Sequence, residues 1–158
     1  MPEVEAGQAV QVLGLLLEYF GERGERWARD RYHDGDGRRC LVGALRYLRC
    51  KHRIPSENAE CFLHEAMKQG LPHQRGGLVY FNDHCRSFAE LRSVILEART
   101  LAVSDIETQR SAAALERWLL AEVERERARA AAGDKRVWYI LFPRAPDETA
   151  IAPVPLAA

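Results

Sequence analysis

In the first twenty positions apolar residues recur every three or four residues: Ala6, Val10, Leu13, Leu17 and Phe20, with Ala9 and Leu16 beside them, line one side of a helix. Gly21 predicts its end. From Glu22 to Gly37 the periodicity gives way to charge, and Asp34-Gly35-Asp36-Gly37 is turn chemistry, so this stretch predicts a loop with room for a helical turn around Trp27. A second helix is expected to begin near Arg39, with Leu41, Leu45, Leu48 and His52 on one side. It ends near Arg53, because Pro55 disfavours the helical region for the residue before it. Pro55 suits the start of a third, short helix in which Ala59, Phe62, Leu63, Ala66 and Met67 share a face; Gly70 and Pro72 close it.

After Gly76-Gly77, the run Leu78-Val-Tyr-Phe-Asn-Asp83 predicts a short extended segment. Ser87-Phe-Ala-Glu90 is a capping box, and Phe88, Leu91, Ile95, Ala98 and Ala102 form the buried stripe of the helix it opens. Ser104-Asp-Ile-Glu107 repeats that signature and predicts a separate helix running to Ala132, with Gly133 as terminator. That helix would be about 40 Å long, more than one core of this size requires. Beyond Val123 it is Glu, Arg and Ala, the composition of a solvated or partner-facing helix. Val137-Trp-Tyr-Ile-Leu-Phe142 suits a strand, and is expected to pair with Leu78–Phe81 in a two-stranded ribbon. Its aromatics Trp138, Tyr139 and Phe142 read as a core or interface plug, since an isolated strand of that composition needs burial. From Pro143 onward the chain holds four of its seven prolines and is extended by composition.

The expected fold is therefore mostly α: a single-domain bundle of about five helices with a minor two-stranded β element. The expected organisation is a helical core over 1–103, a long charged helix over 104–133 packed on or extending from it, and a short strand with a Pro-rich tail over 134–158. A chain of 158 residues has room for one core. Hydrophobic residues at 47% and charged residues at 29% exclude the disordered and disulfide-dense classes. Lys plus Arg, 23, equals Asp plus Glu, 23, so no global charge points to nucleic acid or membrane. No apolar run approaches the ~20 residues of a bilayer span. The acidic start Met-Pro-Glu-Val-Glu is unlike a secretory signal, which predicts a cytoplasmic protein whose four cysteines are thiols. Nothing in the pattern implies a cofactor.

Two stretches carry a resemblance. Trp27 with the loop to Gly37-Arg-Arg-Cys40-Leu-Val-Gly43-Ala44-Leu45, followed by Tyr80-Phe-Asn82-Asp83 and the helix through Ala102, resembles a small helical family of uncharacterised bacterial and phage proteins. The shared pattern is a Gly-Arg-x-Cys-x-x-Gly-Ala segment and a later Asn-Asp before a helix, over about residues 10–103. The resemblance implies a helical fold and confers no activity.

Three constellations hold candidate chemistry. Cys40 follows a glycine loop at the start of a helix, where free amides favour a thiolate, and His84 with Asn82 and Asp83 offers a base and orienters of the kind cysteine hydrolases and transferases use. Against this, Cys40, Gly43, Ala44 and Tyr47 lie within roughly 100° of one another on a helical wheel, a seam of small residues that lets another helix approach; packing is the favoured reading. For Asn82-Asp83 the favoured reading is structural, short polar side chains that satisfy backbone amides in a turn before the Ser87 helix. Cys50, His52, Cys61 and His64 are four zinc-type ligands across a helical hairpin, but residues two apart on a helix diverge by about 160°. Finally, six Lys or Arg and no acid lie between Gly37 and Ser56. Arg39, Arg46, Arg49 and Arg53 align within roughly 80° as a basic ridge beside Tyr47. The ridge would engage an acidic protein surface, or phosphates with Tyr47 stacking on a base, unless it pairs with the protein's own carboxylates, such as the four glutamates of the first 22 residues. Because no catalytic constellation has a supporting scaffold, the expected function is a non-enzymatic binding or regulatory protein that uses the ridge and its C-terminal helix and tail. Cysteine-dependent catalysis and nucleic-acid binding are the alternatives, and oligomeric state is open.

Overall fold

The computed structural model describes residues 3–70 and 76–132. Over these residues the chain forms five α-helices: α1 (Glu3–Phe20), α2 (Leu41–His52), α3 (Glu57–Gly70), α4 (Leu78–His84) and α5 (Phe88–Ala131). The chain divides into two compact units, Met1–Ala112 and Ala113–Ala158, and the hydrophobic core lies in the first. Among the described residues no helix is long and apolar enough to cross a membrane.

Helical spacing places the core. On α1 the buried residues are Ala6, Ala9, Val12, Leu13, Leu16 and Phe20, an arc turned slightly from the expected one, which leaves Val10 and Leu17 half-buried at its edge. α1 packs against α2 and α3, and α4 packs on the same two helices. α2 buries Leu41, Ala44, Leu45 and Leu48, while His52 is exposed and not on the inner side, because the last turn runs past the core. Its end at Arg53 is as expected: Arg53 adopts the left-handed conformation and its N–H donates to the Arg49 carbonyl. α3 contributes Ala59, Leu63, Ala66 and Met67, with Phe62 at the rim. Ser87 opens α5 as predicted, its hydroxyl accepting from the Glu90 N–H at 3.4 Å while the Glu90 carboxylate accepts from the Arg86 N–H at 2.8 Å. Phe88, Leu91, Val94, Ile95, Ala98 and Ala102 then complete the core.

Two expectations fail on physical grounds. Leu78–Phe81 is helical, not extended: Leu78, Phe81, Asn82 and Cys85 are all buried, and their spacing of three, four and seven residues places them on one helical face. Val137–Phe142, the proposed ribbon partner, lies outside the described residues. The β contacts seen among the described residues are isolated bridges from Arg39 to Trp27 and to His33. Ser104 does not start a new helix, because α5 continues through it. With no Gly or Pro at the junction, propagating a helix is favoured over terminating and renucleating it. Asp105 is engaged by Gln109 within the helix at 2.8 Å.

The small-residue seam of α2 is real, but what approaches it is not a helix. A Cβ on Gly43 would collide with the Tyr32 backbone carbonyl of the loop between α1 and α2. Gly14, inside α1, has nothing within 4 Å of the same position. Urea unfolding should therefore show Gly43→Ala destabilised by about 1–3 kcal/mol, and Gly14→Ala stabilised by about 0.5–1 kcal/mol through its better helix propensity. Equal effects would refute the close approach.

Candidate functional site

The loop between α1 and α2 is fastened at one point by a buried amide. Asn82 is fully buried, and its Oδ1 accepts from the Trp27 indole N–H at 2.8 Å and from the Leu41 backbone N–H at 3.0 Å. Its Nδ2 donates to the Ala28 carbonyl at 3.1 Å and to Asp83 Oδ1 at 2.8 Å. Asp83 Oδ1 also accepts from the Asp30 N–H at 2.9 Å. An amide has two donor hydrogens and two acceptor lone pairs, so Asn82 is saturated. It joins the loop, the first amide of α2, and α4. A polar residue four positions after Leu78 and three before Cys85, on the same helical face, was the sequence signal for such a hub.

The glycine-arginine-cysteine segment is built around this loop. Asp34 Oδ1 accepts from the Asp36 and Arg38 N–H groups at 3.0 and 2.8 Å, and the Arg38 guanidinium meets its other oxygen at 2.6 Å. Burial alone would push the Asp34 carboxyl up, but these hydrogen bonds and the Arg38 charge outweigh it and hold the carboxyl below its usual range. Gly37 closes the turn at φ +80°, where side chains are strained. Cys40 is the N-cap of α2, one position before its first turn: it is 3% exposed and its sulfur accepts from the Gly43 N–H at 3.3 Å.

Among the described residues no hydrogen bond joins the proposed base to that thiol. His84 Nδ1 donates to the Tyr80 carbonyl at 2.9 Å, and its ring stacks on Tyr80 with centroids 3.8 Å apart. His84 lines a cleft of about 590 Å³ together with Glu60, His64, Tyr80 and Asp83, and Cys40 is not among the residues lining it. Asp83 reaches both this cleft and the smaller hollow of about 120 Å³ that contains Cys40. The zinc-type residues are dispersed in role: Cys50, His52, Cys61 and His64 are all exposed. No group of three His, Cys, Asp or Glu able to hold a metal occurs among the described residues.

The basic ridge is not one helix face, because α2 starts after its Cys40 cap: of the four arginines only Arg46 and Arg49 lie on it, Arg39 belongs to the loop and Arg53 is the left-handed C-cap. These residues meet aromatic rings more than carboxylates. The Arg39 guanidinium lies over the Tyr47 ring at 4.7 Å, and Arg46 lies over Tyr32 at 5.2 Å. Lys51 adds to Tyr47 at 5.7 Å, and Arg26 lies over Tyr19 at 5.7 Å. Tyr19 and Tyr47 touch, with centroids 5.4 Å apart, and the Tyr19 hydroxyl donates to the Gly37 carbonyl at 2.7 Å. Burial pushes the Tyr19 hydroxyl up, against the opposing pull of Arg39 and Arg26. Arg49 pairs with Glu57 at 2.7 Å; both are exposed. Among the described residues, no α1 glutamate forms an ion pair with Arg39, Arg46 or Arg53. Tyr19, Arg26 and Tyr32 were missed in the sequence because they lie on α1 and the loop, far from the ridge along the chain.

The geometry is that of a small helical domain in which Gly37, Arg38, Cys40, Gly43 and Asn82 serve the fold. Residues 6–101 match DUF6197, a family of unknown function, and the chain belongs to this family. No curated protein and no solved structure matches it.

Asn82→Ala would leave the Leu41 N–H, the Trp27 N–H and the Ala28 carbonyl without their partner, and should cost about 3 kcal/mol or more in urea unfolding. Trp27→Phe, which removes one donor and keeps most of the ring, should cost less. The reverse order would disprove the hub. A disulfide-exchange reagent at mildly alkaline pH should modify exposed Cys50 and Cys61 in the folded chain and spare buried Cys40 and Cys85. Burial foremost pushes the Cys85 thiol up to about 12, with Glu90 reinforcing it. Selective early modification of Cys40 would restore the nucleophile.

Proposed function

We propose that the protein is a non-enzymatic binding module that engages an acidic protein surface through Arg39, Arg46, Arg49 and Arg53 with Tyr47. The observation that carries this reading is that Arg39 and Arg46 are held over tyrosine rings and, like Arg53, take no part in an ion pair among the described residues. A guanidinium stacked on a ring keeps its in-plane N–H donors directed outward, where a carboxylate can accept two at once. Ring contact also lowers the entropy lost when the partner binds, because the side chain is already ordered. Arg26 and Lys51 enlarge the same cluster around Tyr19 and Tyr47. The exposed Glu/Arg end of α5 beyond Val123 supplies a second surface in the other unit. A cytoplasmic setting fits free thiols at Cys50 and Cys61. Catalysis at Cys40 is the weaker reading, since its sulfur caps α2 and His84 is turned to the Tyr80 carbonyl.

The test is fluorescence anisotropy with a labelled glutamate-rich peptide, beside a mixed-sequence single-stranded oligonucleotide, across a salt series. The peptide should bind the natural protein, and Arg46→Glu with Arg53→Glu should weaken it by about tenfold or more. No peptide binding, or binding indifferent to the double reversal, defeats the proposal. Preference for the oligonucleotide with a steep loss in salt would establish the nucleic-acid reading in its place.

A further inference from the structure

The second unit carries a feature that the ridge does not explain. Leu115, Trp118, Leu119 and Val123 of α5 are 57, 56, 50 and 46% exposed. At 100° per residue they fall within about 140° of one another. Single exposed apolar side chains are ordinary; four large ones on one arc of a helix are not. The stripe is short. Along its centre line the preceding positions are Thr108 and Ser111 and the following ones Glu122, Glu126 and Arg129. Glu122 pairs with Arg125, and Glu126 with Arg129 at 2.6 Å, so this continuation is committed to charge. A helical partner or a second copy of α5 would need apolar positions sustained over several heptads, and the seam stops after little more than two turns.

We propose that this stripe is the seat of the chain's own segment Val137–Phe142. The segment has the matching chemistry, six consecutive apolar or aromatic residues, and it belongs to the same unit as the stripe. The intervening Gly133-Asp-Lys-Arg136 is a polar connector opening on glycine, long enough to reverse the chain direction. The lengths agree. From Ala131 back to Leu119 the helix rises about 18 Å, and six residues of extended chain span about 20 Å. A segment running back along the helix therefore passes Val123 and brings Phe142 level with Leu119 and Trp118. Two apolar surfaces that would otherwise each face water are removed together, and the Glu/Arg flank of the helix stays solvated. This inference is independent of the ridge.

The test uses the full chain with Cys50→Ser and Cys61→Ser, carrying Val123→Cys and Ile140→Cys, which this register sets side by side, oxidised at low protein concentration and digested for mass analysis. A disulfide between positions 123 and 140 at monomer mass supports the proposal. Cross-linking only between chains assigns the stripe to a second copy and overturns it, as does absence of a cross-link while both introduced thiols react with maleimide. In the otherwise natural chain, Leu119→Glu should speed tryptic cleavage after Arg136 and Arg144 severalfold. Unchanged cleavage in a variant whose circular dichroism is native would also overturn the proposal.

Discussion

One carboxamide holds the irregular part of this protein to the regular part. The loop between α1 and α2 has two short bridges and no strand of its own, so its backbone polar groups need partners from elsewhere. Asn82 gives both its acceptor lone pairs and both its donors to that loop, to the first amide of α2 and to Asp83. Its cost of burial is met because no hydrogen-bonding capacity is left over; a partly satisfied amide at the same place would be worse than an apolar side chain. Trp27 is thereby fixed against Phe88 at 5.8 Å, and Phe88 against Phe20 at 5.8 Å, so the loop becomes one wall of the core.

The same anchoring explains the residues of the Gly37–Ala44 segment. Gly37 turns the chain, Arg38 clamps Asp34, Cys40 caps α2, Gly43 admits the Tyr32 carbonyl, and Ala44 enters the core. Each has a fold-level task, which is why a cysteine after a glycine loop here marks a cap and a close approach. What the fold leaves unspent is a set of guanidinium groups on tyrosine rings, and an apolar arc on the distal α5. Their energetics differ. Ring-stacked arginines keep their charge hydrated and ready for exchange with another anion, whereas half-exposed Leu and Trp side chains gain free energy from being covered by anything apolar.

Much of the architecture was legible along the chain. The helices α1, α2 and α3, their ends at Gly21, Arg53 and Gly70, and the capping box at Ser87 all follow from spacing, proline and glycine, and short-range hydrogen bonding, which act between residues a few positions apart. Leu78–Phe81 shows where that reasoning misleads: the β-branched and aromatic composition suggests a strand, while the spacing of Leu78, Phe81 and Cys85 suggests a helix, and only a core to receive that face decides between them. Ser104 is the converse, a cap signature with no helix end, because capping residues report what a terminus would gain and not whether the chain stops.

The cluster of basic residues could be read from the sequence, but its alignment on one helix could not: of the four arginines only Arg46 and Arg49 lie on α2, while Arg39 precedes the Cys40 cap and bridges to the loop, and Arg53 is the left-handed C-cap. Nor could what holds them. Tyr32 lies 14 residues from Arg46, and Tyr19 lies 28 residues from Tyr47, so their contacts exist only once the loop is seated on α2. Asn82 and Trp27 are 55 residues apart, and no periodicity links them. Local spacing decides which residues face inward on each helix; which of the remaining side chains meet is settled by packing, because a hydrogen bond or ring contact acts over a few ångströms of space regardless of its separation along the chain.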